Sequence, residues 1–245
     1  MAEQCSGAIA KGIPEIGITD HFDLHPLDDC SGYFKFAEWV AEFDRVRADF
    51  ADRLIVRAGI EIGEPHLFQA ETRALLAQYP FDYALGSLHW VNDLVVFDPR
   101  FFDRPADEAF GAFFEELERM TRVGGFDVLS HFDVVVRRGL PVYGEYEPRR
   151  YEAIIRAVLK NCIERGIALD VNSQGLRRQC GVLTPNVEVL TWYVELGGER
   201  VTLGSDAHKP ADIGADLEAA LDAARAAGLK YVTQFEKREA RLVRI

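Results

Sequence analysis

Short apolar runs alternate along the chain with longer amphipathic stretches, and a polar residue follows each apolar run. The runs are rich in β-branched residues, which is typical of buried parallel strands. The longer stretches have apolar residues at helical spacing, and several end at a glycine, as helices often do. We therefore predict strands at 14–19, 54–60, 81–85, 126–129, 167–171, 201–203 and from 231 onwards, and helices at 2–11, 36–50, 65–78, 106–122, 149–165, 186–196 and 212–227.

The succession of strand, polar residue, loop and helix recurs about six times, which is typical of a parallel α/β architecture. A barrel accounts for this regular succession better than an open sheet does. A chain of 245 residues needs only one such domain, and the sequence contains no low-complexity segment or linker. We therefore predict a single α/β domain over 1–245.

Side chains that can bind a metal follow the predicted strands. Four of the six histidines lie at these positions. Because the carboxyl ends of parallel strands meet on the face where α/β folds bind ligands, we expect these side chains to converge. Imidazole and carboxylate groups suit divalent transition metals, so a hydrolytic centre with several metals is favoured over isolated core histidines. The residues concerned are His21, Glu61, His89, His131, Asn172, Asp206 and His208.

Composition narrows the range of partners. The formal net charge is −12 and the sequence pI is about 5.0, which argues against a general nucleic-acid surface or an anionic-membrane surface. An anionic substrate remains possible where metals or arginines supply positive charge. The chain starts without a signal segment, and no apolar run approaches the ~18 residues of a membrane span. We predict a cytoplasmic protein with reduced, structural thiols at Cys5, Cys30, Cys162 and Cys180.

Six segments resemble, in order, the motifs of the polymerase-and-histidinol-phosphatase (PHP) superfamily, and within it those of the histidinol-phosphatase group. The resemblance covers nearly the whole chain, and Gly-Ser-Asp-Ala-His at 204–208 is especially characteristic. It implies a distorted (β/α)7 TIM-like barrel of the PHP type, a trinuclear metal site and phosphomonoester hydrolysis. The matching segments are 12–21, 59–61, 86–89, 130–133, 170–177 and 203–208.

The resemblance also implies a role for each potential ligand. Glu61 bridges two metals, and His89 and His131 complete one of the two sites. Asp206 binds the metal on the other side of Glu61, while His21 and His208 share the third metal. Glu61, Asp206 and His208 are accordingly the expected catalytic residues. Zinc, manganese and iron all suit this set of nitrogen and oxygen ligands, with up to three ions in a complete family member.

A phosphomonoester dianion needs further positive charge beside its oxygen atoms, and guanidinium groups bind phosphate through two parallel hydrogen bonds. Arg137 or Arg138, just beyond the fourth strand, and Arg177, which the family motif favours, are the candidate substrate-binding residues, with Lys209 as a further contact. The alternative for each is a solvated loop residue. Asp133 is expected to orient the ring of His131.

One departure from the family pattern concerns the start of the chain. Family members open with a strand that carries His-x-His, whereas no histidine precedes His21 here. We therefore expect that an N-terminal segment is missing and that the barrel lacks its first strand. The neighbouring strands would then have unpaired edges, and the chain would bind fewer metals than a longer version.

Three hypotheses for function follow. The leading one is hydrolysis of L-histidinol phosphate to L-histidinol and phosphate, in histidine biosynthesis. The first alternative is a PHP phosphoesterase that acts on another small phosphorylated metabolite. The second is a catalytically impaired remnant that acts only as a folded or binding module. A small phosphorylated substrate is the expected partner in the first two, and the sequence leaves the oligomeric state open.

Overall fold

Eleven strands and eight α-helices make up the computed structural model, which describes residues 1–245. The strands are β1 (Glu15–Ile18), β2 (His21–Phe22), β3 (Ile55–Gly63), β4 (Tyr83–Ser87), β5 (Trp90–Val91), β6 (Leu94–Val95), β7 (Val128–Leu129), β8 (Ala168–Asn172), β9 (Val201–Gly204), β10 (Tyr231–Glu236) and β11 (Glu239–Arg244). The helices are α1 (Ala2–Ala10), α2 (Phe36–Phe50), α3 (Gln69–Leu76), α4 (Ala106–Val123), α5 (Val136–Tyr143), α6 (Glu152–Arg165), α7 (Val187–Glu195) and α8 (Leu217–Ala226). None of these helices combines the length and the apolar character that crossing a membrane requires.

Seven of the strands form one parallel sheet that curls into part of a barrel. The main strands follow the order β1-β3-β4-β7-β8-β9, and the two-residue β2 pairs with β3 beyond the end of β1. Every neighbouring pair in this sheet is parallel. The α/β class, the parallel pairing of the strands and the barrel-like curvature predicted from the sequence are therefore confirmed.

Helices bury their apolar stripes against the outer face of this sheet. In α4, Phe110, Phe113, Phe114 and Leu117 recur at helical spacing and are almost completely buried. This helix packs on α6, and the side chains belong to one continuous core of 50 buried residues. Burial of aromatic side chains contributes several kcal/mol each, of order 1.5–3 by area alone. The core thereby holds the strand ends in fixed positions.

The structure differs from the predicted elements in several places, and the short strands β2, β5 and β6 were not predicted. The sequence analysis did not predict α5, which contains Pro141 near its C-terminal end and packs Gly139 closely against the ring of Phe110. The helix predicted from 212 begins only at Leu217, because Gly214 and Asp216 have left-handed backbones. The expected final strand is a hairpin of β10 and β11, which are antiparallel.

The sheet is open between β1 and β9, which form its two edges. A cavity of about 430 Å³ lies at this opening. Side chains of α1 and β10 line it together with both edge strands, and Glu61 lies at its upper end, where the parallel strands finish. The tip of the β10–β11 hairpin is anchored below, where Arg238 pairs with Asp127 at 2.8 Å and the backbone N–H of Lys237 donates to Asp82. The hairpin thus closes the lower end of the sheet.

We expect Phe43→Ala to destabilise the fold by about 3–5 kcal/mol, because the ring is completely buried in α2 and stacks on Trp39. Tyr33→Ala is the matched control, since that aromatic side chain is 67% exposed and should change stability by less than ~0.5 kcal/mol. Urea unfolding followed by circular dichroism measures both values. Equal losses for the two variants would contradict this account of the core.

Candidate metal centre

Strand pairing brings the predicted ligands to one face of the sheet. In β2, His21 pairs directly with Glu61 in β3, so that their side chains lie side by side. His89 follows the end of β4 by two residues, and His131 follows the end of β7 by two residues. Asp206 stands in the same position after β9. The side chains lie together because parallel strands all end at this face.

Three imidazoles surround the carboxylate of Glu61. Nε2 of His131 lies 3.2 Å and Nε2 of His89 lies 3.5 Å from Oε1 of Glu61, while Nε2 of His21 lies 3.8 Å from Oε2. The hydroxyl of Ser87 donates to Oε1 at 2.7 Å. Only 12% of the Glu61 side chain is exposed. The carboxylate is therefore a largely buried anion with three ring nitrogens directed at it.

The spacing of these atoms fits a tetrahedral transition metal. Zinc bonds of about 2.0–2.1 Å to nitrogen and oxygen give ligand-to-ligand distances of about 3.4 Å in a tetrahedron. The two Nε2 atoms of His89 and His131 are 3.4 Å apart, and their distances to Glu61 bracket the same value. Two ring nitrogens that face each other beside a carboxylate oxygen need a proton or a cation between them. Chemistry and spacing both fit a metal held by Glu61, His89 and His131.

Asp206 and His208 form a second group beside the first. Oδ1 of Asp206 lies 3.5 Å from Nδ1 of His208, and the ring centres of His208 and His21 are 6.3 Å apart. Asp206 lines the same cavity as Glu61 and His131, whereas the side chain of His208 is 63% exposed. The six predicted ligands therefore form one continuous group, with His208 at its solvent side. Their individual roles as ligands stay predictions.

Two of these residues have a backbone that side chains rarely adopt. The φ angles of His131 and Asp206 are 25° and 48°, in the left-handed region. Such backbones cost of order 1–3 kcal/mol and persist at sites where the surroundings enforce them. Here, the turn immediately after each strand directs the side chain back over the sheet. This conformation could not be read from the sequence.

Several buried polar residues support the ligands, and sequence analysis did not assign them this position. Oε1 of Glu64 accepts the backbone N–H groups of His89 at 2.6 Å and Trp90 at 2.9 Å. Oδ2 of Asp170 accepts the backbone N–H of His131 at 3.4 Å. Asp23 lies 3.2 Å from the ring of His21. A carboxylate inside an otherwise apolar strand, as at Asp170, was the one available signal.

The predicted substrate-binding residues differ in their surroundings. Arg137 is 9% exposed, and its guanidinium binds Asp206 at 2.9 Å together with Asn172 and Gln174, both at 2.8 Å. Arg177 instead holds two loops together, since its guanidinium donates to the backbone carbonyls of Ser173, Ser205 and Ala215. Arg138 and Lys209 are exposed. Arg137 is thus the cation of this set that is held within the centre.

The expectation for Asp133 was wrong. Its carboxylate is buried beside Tyr146 and has no hydrogen bond with His131. The ring nitrogens of His131 instead face Glu61 and the hydroxyl of Ser130, which is 3.4 Å from Nδ1. Asp133 points away because the turn at 131–133 rotates successive side chains to different sides. Burial raises the pKa of Asp133 to about 7.

Charges within the centre shift the pKa values of His21, Asp23 and Glu61 in the direction that favours their charged forms. The carboxylate of Asp23, 3.2 Å from Nδ1, raises the pKa of His21 to about 9, against the opposing effect of burial. Burial opposes ionisation of Asp23, yet the two imidazoles beside it lower its pKa to about 2. The pKa of Glu61 lies well below its ordinary value, because hydrogen bonds to His131 and His89 outweigh burial. The carboxylates are therefore ionised and the site attracts cations.

Comparison with known proteins agrees with this geometry. The model of the PHP domain family matches residues 1–174. A probable histidinol-phosphatase of Clostridium acetobutylicum is 31% identical over 225 residues, which are 90% of this chain and 85% of that protein. A histidinol-phosphatase of Lactococcus lactis is 27% identical over 82% of this chain and 75% of its own length.

Solved structures share the fold. The histidinol phosphate phosphatase of Lactococcus lactis, complexed with zinc, L-histidinol and phosphate, superposes with a TM-score of 0.87 at 22% identity, over 98% of this chain and 91% of that one. A solved structure from Listeria monocytogenes gives a TM-score of 0.76 at 19% identity, over 89% of this chain and 92% of that one. The chain belongs to the PHP family, and within it to the histidinol-phosphatase group.

Proposed function

We propose that this protein is a metal-dependent phosphoric monoester hydrolase that converts L-histidinol phosphate to L-histidinol and phosphate. The observation that carries the proposal is the arrangement of imidazoles around Glu61, in which His89, His131 and Oε1 of Glu61 have the spacing of a tetrahedral metal site. The shared name of the relatives supports the substrate. A cytoplasmic location accords with the four unpaired cysteines, which are usual in a reducing compartment.

Zinc is the ion that we propose, with manganese and iron as ions of compatible ligand preference. Glu61, His89 and His131 would hold one ion. Asp206 would contribute to a second ion on one side of Glu61. A third ion, on the other side, would be held by His21 and His208. A metal in such a site supplies a Lewis acid and lowers the pKa of a bound water. The zinc in the related Lactococcus lactis structure supports this choice.

The remaining residues of the centre bind and orient the substrate. Arg137 would hold a phosphate oxygen, because its buried guanidinium is already fixed by Asn172, Gln174 and Asp206 and so is placed without further loss of side-chain entropy. A fixed positive charge lowers the energy of the negative charge that develops on phosphate during hydrolysis. Arg177 and Lys209, which follow β8 and β9, and Arg138 in α5 would contribute further positive potential.

The activity is tested by inorganic phosphate release from L-histidinol phosphate, glycerol 3-phosphate and p-nitrophenyl phosphate, with zinc, manganese and iron supplied in turn. We expect a clearly higher kcat/KM for L-histidinol phosphate. A preference for another phosphomonoester would favour the broader phosphoesterase hypothesis. Lack of hydrolysis with every substrate and metal would favour the impaired remnant.

We expect Glu61→Gln to lower both zinc content and kcat while the protein stays folded. An amide cannot neutralise the charge of a cation, and losing a group bound directly to the metal should exceed the ~10–100-fold losses typical of more distant partners. Glu147→Gln is the control, because that side chain is exposed. Elemental analysis, phosphate release and thermal melting are compared. A near-normal zinc content and a near-normal turnover in the variant would contradict a role for Glu61 in binding the metal.

We expect Arg137→Lys to lower kcat/KM by ~10–150-fold, because an ammonium cannot reproduce the planar fork and a charged hydrogen bond contributes about 1.5–3 kcal/mol. Arg138→Lys is the matched control one residue away, on an exposed side chain. Steady-state phosphate release measures both variants. A lower kcat/KM in Arg138→Lys, with an unchanged value in Arg137→Lys, would assign substrate binding to Arg138 instead.

The pH dependence of stability follows from the raised pKa of His21. The folded, metal-free protein binds this proton more tightly than the unfolded chain, with a pKa of about 9 against 6.5. The stabilisation is thus fully present below pH 6.5 and is lost as pH rises through 9. His89 shifts in the same direction. We expect the metal-free melting temperature to fall between pH 7 and 9.

His21→Gln provides the control for this dependence, since it removes the titrating ring. Differential scanning calorimetry in the presence of a chelator measures the melting temperature of both proteins across the range. A wild-type melting temperature that stays constant, or that falls equally in the variant, would contradict the role of the ring.

A further inference from the structure

A single carboxylate lies behind two of the predicted metal ligands. Oδ2 of Asp23 is 3.2 Å from Nδ1 of His21, and Oδ1 of Asp23 is 3.8 Å from Nδ1 of His89. We propose that Asp23 is a positioning residue, which holds both rings with Nδ1 protonated and Nε2 directed at Glu61. The proposal rests on the proposed function insofar as these rings bind a metal.

The two rings connect one carboxylate to the other. Each presents Nδ1 to Asp23 and Nε2 to Glu61, where the corresponding distances are 3.8 Å for His21 and 3.5 Å for His89. A proton held on Nδ1 leaves the lone pair of Nε2 free for a metal. The position of Asp23 therefore selects the tautomer that both ligands need.

Strand register explains why Asp23 reaches this position. His21 pairs with Glu61 and Phe22 with Ile62, so Asp23 comes next to Gly63. Since side chains alternate along a strand, positions 61 and 63 of β3 share a face, as do positions 21 and 23. The carboxylates of Glu61 and Asp23 consequently lie at successive levels of one face, with the imidazoles between them.

Gly63 provides the space for this carboxylate. A Cβ atom at position 63 would lie 2.4 Å from Oδ1 of Asp23, closer than two such atoms can approach. Asp23 is only 7% exposed, and the rings of His21 and His89 are the basic groups within 4.0 Å of its oxygens. Burial of an ionised carboxylate is costly unless charged or donating groups compensate it. The pocket thus suits an anion whose partners are these two imidazoles.

Sharing one carboxylate couples two ligands. Carboxylates that hold the second nitrogen of a metal-bound histidine fix its tautomer and raise its basicity, and their loss typically costs ~10–100-fold in metal affinity or activity. Here a single change releases both rings at once. We therefore expect the loss of Asp23 to affect zinc affinity more than the loss of a carboxylate that contacts one ring.

The test compares Asp23→Ala, Gly63→Ala and the control Asp29→Asn, whose side chain is exposed in the same loop. Zinc affinity is measured by competition with a chromogenic chelator, and folding by thermal melting. We expect zinc to bind at least ~10-fold more weakly in Asp23→Ala, and also in Gly63→Ala, which keeps the carboxylate but displaces it. Asp29→Asn should match the wild type.

The tautomer is measured separately, because a merely structural role would leave it unchanged. Two-bond ¹H–¹⁵N spectra of the metal-free protein, recorded at a pH at which both rings are neutral, report which nitrogen of each imidazole carries the proton. The metal-free protein is used because zinc on Nε2 would itself force the proton onto Nδ1. We expect Nδ1 protonation of His21 and His89 in the wild type, and a loss of the corresponding signals or a mixture of tautomers in Asp23→Ala.

The outcomes separate this inference from the proposed function. Unchanged zinc affinity and unchanged tautomers in folded Asp23→Ala would overturn the positioning role, whatever the substrate. Weaker zinc binding in both variants would support it, even if the wild-type protein fails to hydrolyse L-histidinol phosphate. If Asp23→Ala does not fold, Gly63→Ala decides, and wild-type affinity and tautomers in that variant would overturn the proposal.

Discussion

The charge of Glu61, held largely out of water, is the constraint on which the site depends. An ionised carboxylate in such a place is stable only when cations or donors surround it. The hydroxyl of Ser87 supplies one donor at 2.7 Å, and the three imidazoles compensate the remaining charge either as protonated rings or by sharing a metal with the carboxylate. These groups come from strands far apart in the chain. Their meeting at one point therefore ties the stability of the sheet to the chemistry of the centre.

The sheet satisfies this constraint through where its strands end. Parallel strands deliver their last residues to a common face, and the short turn that follows each strand fixes the direction of the next side chain. At His131 and Asp206, this direction needs a left-handed backbone, which only the packed surroundings can enforce. Backbone amides after β4 and β7 are in turn held by Glu64 and Asp170. Carboxylates thus fix both the rings and the backbones that present them.

Much of the fold, and the meeting of the candidate ligands on one face of the sheet, could be inferred from the sequence. The apolar runs show where strands end, and histidine is rare enough that its repeated occurrence there is informative. Asp23 could not be recognised in this way, because its position depends on the pairing of a two-residue strand with β3. The role of Arg177 is equally hidden, since backbone carbonyls from three separate segments receive its guanidinium. Contacts that depend on tertiary register leave no local pattern in the sequence.

The opening between β1 and β9 has a consequence for local motion. Side chains of α1 and of β10 line the cavity there, although more than two hundred residues separate these elements in the chain. Proteins open locally with free energies well below that of global unfolding, and such openings begin in segments with few neighbours. Detachment of either element would expose the space beneath Glu61 while the other strands stay paired. Access of solvent to the lower side of the centre therefore depends on how these two elements pack over the opening between β1 and β9.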